Sequence, residues 1–400
     1  MMALNGQSAR RNLFLFLAAI MLSGVAGGLY DTIFNNYLDH AFRIGADTRG
    51  NLEFPRELPG FLTALFAGML FFVPETWIGV VSALAAGFGM LGMALWGDRW
   101  GPMVGFMVLW SVGAHLSMPV RASLGLALAT EGRQGRRLGQ LGGAGIASSI
   151  LGCGLVWLMF RRGGQPYRAA FVVGGVLAVS AAVFYALMRM PEAHLKRPQF
   201  VWRREYWLYY VLAVLFGARK QVFITFGPWV LIRIFHQPPQ VFAQLGMAGA
   251  VIGMFLQPLI GRLIDRLGER RVLMADGCCL LAVCLGYGFS DRFPVALAVW
   301  LLYVCFVGDM VLFGVNMARS TYLSKIAVRK EDVAPTLSLE VSINHTVSMS
   351  VPALGGLAWI RWGHTSVFLG AAVVAVLMIV CTSLIRIPRP PVGAMVRPAA

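Results

Sequence analysis

The sequence predicts an all-α polytopic membrane protein of twelve transmembrane helices. Of its 400 residues, 58% are hydrophobic and only 13% are charged, and the mean hydropathy is +0.69. A soluble domain carries about a quarter charged residues and cannot hide so much apolar surface. The apolar stretches also have the length of a bilayer crossing, roughly 20 residues each.

Charges, prolines and glycines cut the chain into apolar segments at 12–37, 58–74, 77–96, 102–128, 138–160, 169–190, 206–234, 240–261, 272–290, 294–317, 336–359 and 364–385. The first follows Arg10 and Arg11 and runs through Tyr30 to Leu38 without a small-residue cleavage pattern, so it reads as a helix rather than a signal peptide. The second is the shortest and borrows Phe54 to Leu58 to reach across; the polar stretch Asp39 to Glu57 before it reads as a solvated outer loop or, alternatively, a cap over the outer mouth. The sixth and seventh are separated by Met190 to Glu205, the longest hydrophilic interior stretch. This divides the chain into a six-helix N-terminal bundle (1–190), a cytoplasmic linker (191–205) and a six-helix C-terminal bundle (206–400). Short matches between the halves support a pseudo-symmetric pair: Gly68 to Pro74 with Gly253 to Pro258, and Gly154 to Trp157 with Gly356 to Trp359.

The formal net charge of +16 suggests a nucleic-acid partner only until the loops are sorted. With both termini cytoplasmic, inner loops and ends hold twenty-one Lys and Arg and outer loops ten, the main exceptions lying between Arg161 and Arg168. The positive-inside rule accounts for that surplus, so no nucleic acid is expected and the chain reads as a multi-pass protein of the cell inner membrane. Cys153, Cys278, Cys279, Cys284, Cys305 and Cys381 all fall in apolar stretches, without zinc-site or disulfide spacing. No nucleotide loop or catalytic triad motif is present, so no enzyme activity, cofactor or metal ligand set is expected.

Charges inside a membrane are costly and therefore mark function. Tyr30, Asp31 and Asn35 lie on the first helix, with Asp31 and Asn35 one turn apart; His115 lies in the fourth, Arg219 and Lys220 in the seventh, and Asp309 in the tenth. The eleventh adds Glu340, Asn344 and His345. Arg219 and Lys220 are separated by about 100° around their helix, so one is expected to face a solute site and the other a neighbouring helix.

After the eighth helix comes Gly261-Arg262-Leu263-Ile264-Asp265-Arg266-Leu267-Gly268-Glu269-Arg270-Arg271. This resembles the signature loop of the major facilitator superfamily, G-x-L-x-D-R-x-G-x-R-R. The resemblance implies two six-helix bundles around a central cavity lined by helices 1, 4, 7 and 10. It also implies a cytoplasmic gate at Gly261, Asp265, Arg266, Gly268, Arg270 and Arg271, with Asp265 set against the start of the fifth helix near Gly139 and Gln140. Arg121-x-x-x-Gly125 resembles the family's fourth-helix motif, whose Arg is associated with proton coupling. Two departures stand out. Phe72 to Trp77 lacks the Asp-Arg pair in the first half, and Pro352-Ala353-Leu354-Gly355-Gly356 places an antiporter-like motif in the eleventh helix instead of the fifth.

The resulting expectation is a secondary active transporter of a small organic anion, coupled to protons or another ion and working as a monomer in the bilayer. Arg219, Lys220, Asp31, Tyr30, Asn35, His115, Asp309, Asn344 and His345 are the expected substrate-binding residues, and Asp31, Asp309, His115, Glu340 and Arg121 the proton-coupling ones. A proton/drug antiporter and a transporter-like sensor that binds without moving its ligand are the alternatives.

Overall fold

The computed structural model describes residues 6–66, 73–129, 134–190 and 201–387. These hold fourteen α-helices and, among the described residues, no strand. In the first half they are α1 (Gly6–Phe42), α2 (Ala46–Asn51), α3 (Glu53–Phe66), α4 (Glu75–Trp96), α5 (Trp100–Ala127), α6 (Gln134–Phe160) and α7 (Tyr167–Ala186). In the second they are α8 (Trp207–Arg233), α9 (Pro239–Leu267), α10 (Glu269–Gly288), α11 (Val295–Leu312), α12 (Met317–Ile326), α13 (Val333–Trp362) and α14 (His364–Ser383). A 3-10 turn, Phe313–Asn316, carries α11 into α12. Most of the linker (191–200) and of the Gly68 to Pro74 match lies outside the described residues.

Among the described residues, ten helical stretches have the length and hydropathy to cross a membrane. Local chemistry sets their ends. Pro74, Pro166 and Pro294 cap the starts of α4, α7 and α11, where a missing N–H costs nothing. Gly268 (φ 81°) and Gly363 (φ 78°) reverse the chain within one residue between α9 and α10 and between α13 and α14, a conformation that a Cβ disfavours.

Helices that gain nothing from excluding water from one another pack through small residues. A Cβ at Gly113 would strike Ala86 and the Ser82 carbonyl of α4, and one at Gly89 would strike the Trp110 backbone of α5. Gly28 of α1 and Gly152 of α6 bring those two backbones together in the same way. Each half packs chiefly within itself, and the halves meet along two seams, α6 against α9 and α2–α3 against α13.

Two features depart from the sequence reading. The stretch 39–57 is not a solvated loop: α1 continues to Phe42, α2 and α3 follow at once, and Arg49, Glu53 and Glu57 are at most 4% exposed. Hydropathy counts each charge as a separate cost, whereas these charges neutralise one another. Likewise, the segment expected to end at 317 continues through α12, so Arg319 is buried in the protein and not in an inner loop.

Candidate functional site

A cavity of about 740 Å³ lies between the halves. Asp31, Arg56, Glu57, His115, Lys220 and His345 border it, together with aromatic rings from both halves, including Trp110 and Phe223.

The α2–α3 segment supplies the densest chemistry. Arg49, Glu53, Arg56 and Gly60 recur at helical spacing and so share one face. Arg49 Nη1 donates to Glu53 Oε1 at 2.5 Å, while Arg56 Nε reaches Glu53 Oε2 at 2.7 Å. Arg56 Nη2 also lies 2.8 Å from Glu57 Oε1. Across the seam, Gln221 Nε2 of α8 donates to Glu53 Oε2 at 2.6 Å, and His345 Nδ1 of α13 lies 3.0 Å from Glu57 Oε2. Buried charges persist when paired and hydrogen-bonded in this way. Backbone fit holds the segment in place: a Cβ at Gly50 would collide with the Pro352 carbonyl, and one at Gly356 with Ala46 and Asp47.

The first helix meets this cluster from the side. Asn35 Oδ1 accepts from Arg49 Nε at 2.7 Å, and one turn earlier Asp31 faces the cavity without a hydrogen bond or ion pair among the described residues. Tyr30 is buried, stacked on Trp110 at 3.5 Å and on Phe34 at 4.7 Å between ring centroids. On α5, His115 Nδ1 lies 2.9 Å from the Ser111 carbonyl oxygen and 3.0 Å from its Oγ. The His115 and His345 rings meet edge to face at 4.9 Å.

Adjacent residues of α8 part as helical geometry requires. Arg219 turns into the second half and pairs with Asp309 at 2.9 Å. Lys220 points into the cavity and has no ion-pair or hydrogen-bond partner among the described residues. Asp309 also borders the cavity, as does Arg121 on α5.

Two expected binding or coupling residues and the signature loop stand elsewhere. Glu340 is buried against Arg319 at 2.8 Å and accepts from Tyr209 Oη, inside the second half and off the cavity lining. Asn344 packs close to Gly217 of α8, also off the lining. The signature-loop residues lie at the far end of α9, with Asp265, Arg266, Arg270 and Arg271 exposed.

Sequence reasoning did not single out Arg49, Glu53, Arg56, Glu57, Gln221, Asp276 or Arg319. A signal for the first four was present in the alternating charges at helical spacing, and Gly60 one turn beyond continues that face. Asp276 of α10, buried with an Oδ1 that lacks a partner, is a lone acid in the apolar segment 272–290 and carries the same mark of depth as Asp31.

The two faces of the molecule differ. On the face carrying the α1–α2 turn, Asp39 pairs with Arg233 at 2.6 Å and Asn36 Nδ2 donates to the Gln237 carbonyl at 2.9 Å, so the halves are joined. On the face where α1 begins and α7 ends, Gly139, Gly142, Gly143 and Gly145 of α6 and Gly253 and Gly261 of α9 meet open space. Asp265 has no ion pair among the described residues. Side-chain contacts between the halves are therefore found at the first face.

Residues 16–334 and 209–399 match the family model described as Major Facilitator Superfamily. No curated protein matches the sequence significantly. Among solved structures, the fold is similar to that of the nucleoside transporter NupG, with a TM-score of 0.74 and 13% identity over 93% of this chain and 98% of that one. A D-xylose-proton symporter gives 0.69 and 14% over 93% and 96%. A bacterial homolog of the human lysosomal transporter Spinster, in an inward-facing and unoccupied conformation, gives 0.70 and 13% over 94% and 97%. At such identities the likeness is one of fold.

Proposed function

The chain belongs to the major facilitator superfamily, and from that premise we propose that it carries a small organic anion across the membrane by proton-coupled alternating access. The observation that carries this reading is Lys220, a cation in the cavity wall with no protein partner among the described residues, while Arg49, Arg56 and Arg219 are each paired. A carboxylate, phosphate or sulfonate on the solute supplies the missing counter-charge. Asp31, also unpaired among the described residues and facing the same space, is the group that takes up the coupling proton as solvent access changes.

In this reading the bundles 1–190 and 206–400 rock about the central cavity, joined by the 191–205 linker. With the termini facing the cytoplasm of the inner membrane, the joined face is the outer one and the face at the end of α9 the inner one. Asp265 would engage the start of α6 only when that face closes, in keeping with its exposure now.

Uptake by proteoliposomes under an imposed pH gradient tests the assignment. Lys220→Ala is expected to abolish anion uptake, and Asp31→Asn to abolish acceleration by the gradient while leaving solute exchange intact. Unchanged uptake in both variants overturns the proposal. A second reading, a cationic or lipophilic solute held by Asp31 beside the stacked Tyr30 and Trp110, reverses the pattern: Asp31→Asn loses binding and Lys220→Ala is tolerated. Binding without flux in the wild type identifies a sensor.

A further inference from the structure

We propose that Glu57, His115 and His345 form a site for a divalent transition-metal ion of the Zn²⁺ class, which enters as a chelate of the organic anion. The proposal rests on reading the cavity as the solute's site and names what the solute brings there. One donor atom from each residue lies within 4.8 Å of the other two, and all three residues are buried. Two imidazoles and one carboxylate suit Zn²⁺, Co²⁺ and related ions, and three protein ligands leave a coordination position open.

The surroundings are those of a supported ligand set and not of a chance cluster. The Ser111 carbonyl accepts from His115 Nδ1–H at 2.9 Å, which leaves the lone pair on Nε2. Arg56 holds Glu57 Oε1 at 2.8 Å, leaving Oε2 turned toward His345. Space between the rings is kept by a glycine: a Cβ at Gly60 would run into His115 Nε2 and His345 Cε1. All three side chains border the cavity, so the open position faces the solute.

Charge decides what fills that position. Arg49, Arg56, Arg121 and Lys220 border the cavity against the carboxylates of Asp31, Glu57 and Asp309, four cations to three anions, so a bare dication adds to a positive excess already present. An anionic chelator offsets this by giving one oxygen to the ion and another to Lys220. The donors come from both halves, Glu57 and His115 from the first and His345 from the second. Opening the seam on the joined face separates them and releases the ion with its chelator.

Co²⁺ titrated into the full-length protein in nanodiscs, with no organic solute, tests the site apart from transport. Expected are visible d–d bands of low-coordinate Co²⁺ that saturate near one equivalent and are displaced by Zn²⁺. His345→Ala and Gly60→Ala should each weaken binding by more than about tenfold. Gly60→Ala keeps the three donor side chains but pushes the two rings aside, so its effect ties binding to the arrangement of His115 and His345. Wild-type protein that binds Co²⁺ no more tightly than the Glu57→Gln, His115→Ala, His345→Ala triple variant overturns the site, as does absence of the bands from wild type should the variants fail to fold. Metal binding without anion uptake contradicts only the solute reading, and anion uptake that persists in a chelating buffer contradicts only the metal.

Discussion

The ion pairs of α2–α3 and those of α12–α13 obey the same electrostatics, but their partners belong to different bodies. Glu53 and Glu57 are held by arginines of their own segment and also reach across the seam to Gln221 and His345. Arg319, in contrast, pairs with Glu340, donates to the Leu212 carbonyl and stacks over the Phe216 ring at 3.7 Å, every partner lying in the second half. In the first set the contacts of Glu53 to Gln221 and of Glu57 to His345 must be broken and remade whenever the halves move apart, whereas the second set travels with its bundle. Buried charge at the seam therefore sets which state is populated, and buried charge within a bundle sets whether the bundle holds together.

The largest expected effect comes from Glu53→Gln, which strips the counter-charge from both Arg49 and Arg56. Loss of one partner of a buried pair costs about 3–5 kcal/mol while the site stays buried, and opening on the joined face lets water reach Arg49 and Arg56 and relieves that cost, so the equilibrium should move by up to about a hundredfold toward the open state. A cysteine placed at Asn36 should then react faster with an impermeant thiol reagent, with thermal stability little changed; an equally large fall in melting temperature would make Glu53 a structural residue. Next comes Arg319→Ala, which leaves Glu340 buried with only the Tyr209 hydroxyl and should lower stability by about 3 kcal/mol. Here calorimetry should register the loss and Asn36→Cys labelling should not; a labelling change would erase the distinction between the two sets. The smallest effect belongs to Asp39→Asn, which breaks the half-exposed pair with Arg233. It is worth less than about 1 kcal/mol and at most about a fivefold change in labelling, falling further at high salt.

Much of the fold was legible along the chain because the bilayer imposes a length and a polarity on each crossing. The segments at 77–96, 206–234 and 364–385 nearly coincide with α4, α8 and α14. The site was legible in part, and the division has a cause. Asp31, His115 and Lys220 are polar residues within apolar helices, so depth alone marks them. Arg49, Glu53, Arg56 and Glu57 come as a polar run, which in sequence looks the same whether it is solvated or folded against itself.

The sequence by itself determined a membrane protein of long helices bearing a superfamily signature at Gly261 to Arg271, because hydropathy is a sum over neighbouring residues and a signature is a run of them. Only the tertiary structure decided that Arg219 is spent on Asp309 while Lys220 is left for the cavity. The same holds for the meeting of Glu57, His115 and His345, drawn from three helices and both halves. Pairing cancels the cost of burial, and a pair distant in sequence leaves no mark on either residue's own surroundings.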